Sequence, residues 1–217
     1  MRLVEYADDR VWAITVAEIL AGQLASELDQ NDRCRLVLAG GTTPAPVYRQ
    51  LGRLDIDWSR VSVMPSDERC VSQESPRSNY RMIAECLAGT PASRAVLVPL
   101  FLPGRQGAAP GRIGDAIPAT VCVLGLGEDM HTASLFPLSP QIEQAMAGEA
   151  PPVMAMTAPD GEERMTLTCQ ELARSTFIHF LITGPGKRRA LERAIGEPDR
   201  LRAPAGALLD SAMVHHA

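Results

Sequence analysis

The stretch TVCVLGLGEDMHTASLFP, residues 120–137, decides how this chain is read. Its first half is short, apolar and closed by glycines, the pattern of a strand buried on both faces. Its second half crowds Glu128, Asp129, His131, Thr132 and Ser134 into the exit of that strand. A strand covered on both sides belongs to a parallel sheet with helices on each face, and in such folds ligands sit at the carboxyl ends of the strands.

The rest of the chain fits that frame. VWAITVAEILAGQLASEL carries apolar residues at helical spacing, and RLVLAGG after it reads as a buried strand ending in two glycines. Pro44 permits a helix start for APVYRQLGRL, because proline suits a first turn. VSVMP is a further strand, SDERCVSQESPRSN a loop, and SNYRMIAECLAG a helix capped near Ser78 or Asn79. AVLVPLF, VMAMTA, RMTLT and TFIHFLIT are strands; GKRRALERAIG is a helix, and the tail GALLDSAMVHHA a last short helix. The Gly- and Pro-rich segment 103–114 reads as a loop or a shortened element. No repeat or long linker divides the chain. The expectation is a single domain over residues 1–217, an α/β Rossmann-like fold with a mostly parallel sheet flanked by helices.

Composition narrows the function classes. A length of 217 residues suits one core, and with only 4% aromatic residues that core must be built from small aliphatics and Met. A net charge of −5 argues against a nucleic-acid partner or an anionic membrane surface, but leaves room for a small anion held by a few convergent donors. Five cysteines, Cys34, Cys70, Cys86, Cys122 and Cys169, lack C-x-x-C spacing and read as reduced thiols of a cytoplasmic protein. The first residues lack the apolar run of a signal sequence, and no uninterrupted apolar span of about 18 residues occurs. Low aromatic content and the lack of an apolar surface stripe point to a monomer or weak homodimer.

Four polar clusters fall at strand exits. AGGTTP combines Gly40 and Gly41, which let a backbone approach an anion, with Thr42, Thr43 and a helix start; a tight turn with capping threonines is the plain alternative. It is neither a Walker loop nor a dinucleotide fingerprint, so no nucleotide cofactor is expected. SDERCV puts Asp67, Glu68 and Arg69 after a strand, where an ordinary charged loop is equally readable. GPGKRRAL sets Lys187 in the first turn of a helix, where the dipole is already positive; a bound anion would make sense of it, and a solvated lysine is the alternative. His131, with an ordinary pKa of about 6.5, suits general-base work, and Asp129 two residues earlier can orient its ring. A metal reading of Asp129 and His131 lacks a third ligand at familiar spacing, and no G-x-S-x-G elbow supports a serine hydrolase. His179 reads as a structural histidine, and His215 and His216, in a fraying tail, receive no role.

In this order AGGTTP, PSDERCV with SNYRM, GLGEDMHTASLFP, ERMTLT and TGPGKRRAL resemble the 6-phosphogluconolactonase family over roughly residues 36–191. The resemblance implies the fold of glucosamine-6-phosphate deaminases and ribose-5-phosphate isomerases, and hydrolysis of 6-phospho-D-glucono-1,5-lactone in the oxidative pentose phosphate pathway. It implies His131 as the base that activates water, with Asp129 in support and Gly41, Thr42 and Thr43 along the substrate. It sets Arg69 and Lys187 on the phosphate, with Arg77 and Arg164 as further candidates, and Asp67 where the deaminases keep a proton-transfer carboxylate. It requires neither metal nor cofactor. A deaminase or isomerase on the same fold, or a non-catalytic sugar-phosphate sensor, are the rival readings. Two departures stand out. Many members read GxDGH where this chain has Met130, a strained choice if the backbone there needs positive φ. The part after Gly196 keeps APAGALLD but is otherwise short.

Overall fold

The computed structural model describes residues 1–104 and 113–217. In chain order the elements are β1 (Arg2–Glu5), α1 (Asp9–Gln30), β2 (Cys34–Leu38), α2 (Ala45–Leu51), β3 (Val61–Pro65), β4 (Asp67–Arg69), α3 (Asn79–Leu87) and β5 (Val96–Leu97). They continue with β6 (Val121–Leu124), α4 (Ile142–Met146), β7 (Val153–Thr157), β8 (Glu163–Leu167), α5 (Cys169–Ala173), β9 (Phe177–Ile182), α6 (Gly184–Gly196), α7 (Gly206–Leu209) and β10 (Ala212–His216).

Seven strands form one sheet in the order β1-β10-β9-β6-β2-β3-β5, with every pairing parallel. The two-residue period of the central strands divides the core. Leu36, Leu38, Val121 and Val123 face α1, α2 and α3, while Val37, Cys122 and Leu124 face the second core beneath α6 and α7. From β2 the chain winds outward through β3 and β5, then returns to start again at β6 and winds the other way. The exits of β2 and β6 therefore diverge, and a crevice opens between them. That crevice lies between the AGGTTP turn and the loop carrying His131.

Helix α1 begins where the Asp8 carboxylate accepts the N–H groups of Arg10 and Val11 (2.9 and 2.8 Å). At its far end the Arg60 guanidinium donates to the carbonyls of Leu28, Asn31 and Asp32. By length and composition α1 is apolar enough to cross a membrane, but Trp12, Val16, Leu20 and Leu24 form one stripe buried in the core. The five cysteines are free thiols, and burial pushes those of Cys34 and Cys122 up to about 12.

The strands depart from the sequence reading in four places. Asp67–Arg69 is not loop but strand β4, which joins β8 and β7 in a second, antiparallel sheet of three strands. AVLVPLF shrinks to the two paired residues of β5, although Val98 and Leu100 stay buried. The tail forms α7 and then a strand, β10, inserted between β1 and β9, so His215 is fully buried rather than frayed. Strand β1 at the sheet edge was not expected at all. Most of the segment 103–114 lies outside the described residues.

Candidate active site

The residues lining the crevice, about 440 Å³ in volume, come from both sides of the switch point and from the small sheet. At the exit of β2, Gly41 takes φ +92°, open to glycine and strained for other residues. Gly40 lies flat against Asn79, whose side-chain amide occupies the space a Cβ would need. Among the described residues none of the four N–H groups from Gly40 to Thr43 meets a protein acceptor. They stand free to meet a ligand.

At the exit of β6 the chain closes a turn from Gly127 to His131. The Gly127 N–H donates to the His131 carbonyl (2.8 Å), and the Met130 N–H to the Gly127 carbonyl (3.0 Å). Met130 takes φ +70°, the conformation that glycine would adopt without cost, at a penalty of about 1–2 kcal/mol for a side-chain-bearing residue. The C-terminal segment braces the turn: the Ala205 N–H donates to the Met130 carbonyl (3.1 Å), and Arg193 donates to that of Glu128. A Cβ on Gly127 would overlap both His131 Nδ1 and the Asp129 carboxylate, so that glycine lets the pair close.

His131 Nδ1 lies 2.5 Å from Asp129 Oδ1. A carboxylate only accepts, so Nδ1 carries the hydrogen and Nε2 keeps its lone pair as the basic atom. Burial pushes the Asp129 carboxyl upward, but its bonds to His131 outweigh that and hold it below the ordinary carboxylate value. Phe136 lies against the imidazole, ring centres 4.7 Å apart.

Strand β4 supplies the third wall. Its pairing with β8 sets Arg69 opposite Arg164 and Asp67 opposite Thr166. Asp67, 8% exposed, accepts the Ser66 hydroxyl on Oδ1 (3.0 Å) and the Ser134 hydroxyl on Oδ2 (2.6 Å). Arg69 donates from Nη1 to the carbonyl of Arg77 (2.6 Å) and to Asn79 Oδ1 (3.1 Å). Arg164 is held by Glu162 at 2.6 Å. The Lys187 side chain, in the first turn of α6, has neither an ion pair nor a hydrogen bond among the described residues.

Of the residues singled out from sequence, Gly40, Gly41, Thr42, Thr43, Asp67, Arg69, His131, Arg164 and Lys187 line one crevice, with Asp129 behind His131. Arg77 does not join them: its guanidinium pairs with Glu162, and it gives the site only a carbonyl. Asn79, Phe136 and Gly127 were missed as site residues, and Ser134 was named without a role. Each lay inside a quoted motif, yet only tertiary contacts assign it a part. Among the described residues no three His, Cys, Asp or Glu side chains cluster to hold a metal ion.

Residues 7–215 match the family described as glucosamine-6-phosphate isomerases/6-phosphogluconolactonase. The chain belongs to that family. A 6-phosphogluconolactonase of Rhizobium meliloti (strain 1021) is 34% identical over 205 residues, 91% of this chain and 88% of that protein. The crystal structure of a 6-phosphogluconolactonase from Shewanella baltica OS155 superposes with a TM-score of 0.93 at 27% identity, covering 100% of this chain and 98% of the other. A monomeric glucosamine-6-phosphate deaminase shares the fold, with a TM-score of 0.79 at 19% identity over 100% and 97% of the two chains. The isomerase/lactonase family thus brings the expected α/β fold, and of the small antiparallel sheet only β4 was hidden from sequence patterning.

Proposed function

We propose that this chain is a 6-phosphogluconolactonase, hydrolysing 6-phospho-D-glucono-1,5-lactone to 6-phosphogluconate. Its relatives of that name, matched over most of their length, support the reaction. The single observation that best supports the residue assignment is the His131–Asp129 pair, its basic nitrogen left free in a crevice that also holds Lys187 and Arg69.

In this reading His131 Nε2 takes a proton from water as the water oxygen attacks the lactone carbonyl carbon. Asp129 stabilises the imidazolium so formed. The tetrahedral intermediate collapses with cleavage of the bond between the carbonyl carbon and the ring oxygen. The imidazolium returns its proton to that oxygen, and the new carboxylic acid ionises. A base of this kind contributes about 10²–10⁴-fold, and free N–H groups of the glycine turn are suited to an anionic oxygen. Lys187 and Arg69 hold the phosphate, with Arg164 beside them, and orient the lactone. Asp67, with both oxygens tied to serine hydroxyls, acts as a fixed acceptor. Arg77 drops out of the phosphate set. The whole chain works as one domain, in the cytoplasm, as a monomer or weak dimer, without metal or cofactor.

The test generates the lactone from glucose 6-phosphate with excess glucose-6-phosphate dehydrogenase. Release of 6-phosphogluconate is then followed through its own dehydrogenase. Acceleration over spontaneous opening should scale with protein and fall about 10²–10⁴-fold in His131→Asn. Full activity in a folded His131→Asn protein would remove the base assignment; no acceleration by wild type would remove the reaction.

A further inference from the structure

Asn79 is 4% exposed at the first position of α3, yet its amide touches three parts of the site. Nδ2 donates to the Asp67 carbonyl (2.7 Å) and Oδ1 accepts from Arg69 Nη1 (3.1 Å). The flat face of the amide fills the space above the Gly40 Cα. The residue is itself gripped from behind. The buried Glu68 carboxylate accepts the N–H groups of Arg69, Asn79 and Tyr80 and the Ser78 hydroxyl, all within 2.9 Å. Those bonds cap α3 and fix where its first side chain points.

We infer that Asn79 is a positioning residue that sets the Arg69 guanidinium, locking β4 to the glycine turn through one amide. Among the described residues the Arg69 side chain bonds the protein only through Nη1, to Asn79 and to the Arg77 carbonyl. Its Nε and Nη2 therefore remain free for an anion, in an orientation that those two acceptors define. An arginine carries large rotamer freedom when unheld, and fixing it in advance removes that cost from substrate binding. Asn is suited to the place because one planar group must donate to a carbonyl, accept from a cation and lie flat under a glycine. Aspartate lacks the donor and alanine lacks both polar atoms.

The inference rests on the proposed role of Arg69 at the substrate phosphate, and the experiment separates the two. Asn79→Ala, Arg69→Ala and the double variant are compared on the phosphorylated lactone and on unphosphorylated D-glucono-1,5-lactone. Asn79→Ala should raise KM for the phosphorylated lactone roughly tenfold, with little change on the other. Once Arg69 is gone it should add less than about twofold, because two residues acting through one group are not additive. Effects of the two substitutions that multiply would overturn the positioning role. If Arg69→Ala slows both lactones equally, the phosphate assignment falls, while non-additivity with Asn79 would still uphold the positioning role. A second pair guards against a folding defect. Gly40→Ala alone should displace the amide and raise KM for the phosphorylated lactone at least as far as Asn79→Ala does, and adding Asn79→Ala to it should worsen it by less than about twofold. A fully active Gly40→Ala protein would show that the amide is not wedged there, and would overturn the inference.

Discussion

Acidification should unfold this protein through two histidines far from the crevice. His179 and His215 are 1% and 0% exposed and joined in a chain of hydrogen bonds. Tyr6 Oη lies 2.7 Å from His215 Nδ1, His215 Nε2 lies 3.0 Å from His179 Nδ1, and His179 Nε2 lies 2.8 Å from Gln23 Oε1. With the Gln23 oxygen accepting, each neutral ring donates one hydrogen along the chain; a second proton on His179 would set two N–H groups face to face. Burial lowers His179 to about 4, and burial with the charges of His179 and Arg2 nearby lowers His215 to about 3. Both values lie below the unfolded value of about 6.5, so the unfolded chain binds more protons, and stability is lost as pH falls from that value toward the folded ones. At pH 5 both rings are still neutral in the fold and charged in the unfolded chain. Summed from pH 7, the loss is about 4 kcal/mol, a large share of a typical 5–15 kcal/mol. Urea denaturation at pH 7, 6 and 5 measures it, and the slope between pH 6 and 5 should approach two protons. A fall below about 1 kcal/mol over that range would refute the reasoning, since the pair would then titrate as freely in the fold as outside it.

Gly127→Ala should lower kcat by at least tenfold with KM nearly unchanged, because the new methyl group displaces His131 and Asp129 rather than the cations; steady-state kinetics on the lactone check it. Met130→Gly should be more stable than Met130→Ala by about 1–2 kcal/mol, the reverse of the usual ranking, as read from paired thermal melts. Ser134→Ala should leave the buried Asp67 Oδ2 without its hydroxyl donor and lower Tm by about 2–8 °C, with the cost near 1–2 kcal/mol, seen by calorimetry.

The large sheet was legible because its strands obey one local rule: TVCVLGLG, RLVLAGG and VSVMP are apolar on both sides and cut off by glycine or proline. Their exits held the polar clusters, so the crevice was legible too. The tail was misread because GALLDSAMVHHA has no strong period, and its identity as a strand comes from the slot between β1 and β9. His215 looked dispensable for the same reason. A buried histidine cannot be told from a frayed one until its hydrogen-bond partners are known, here His179, which accepts from His215, and Tyr6, which donates to it.

Strand β4 is the more instructive case. Asp-Glu-Arg has the composition of a solvated loop, and no apolar alternation marks it. Yet Asp67 and Glu68 are buried, each saturated by donors that arrive from elsewhere: Ser134 from the His131 loop, Ser78 and the start of α3 from the following helix. A charged strand is stable only where the fold brings such donors, since a buried carboxylate left unpaired would cost several kcal/mol. The same contacts that make the strand possible hold Asp67 and Arg69 in the crevice. Removing them would therefore damage folding and binding together, and only kinetic coupling of the kind proposed for Asn79 and Arg69 can separate the two.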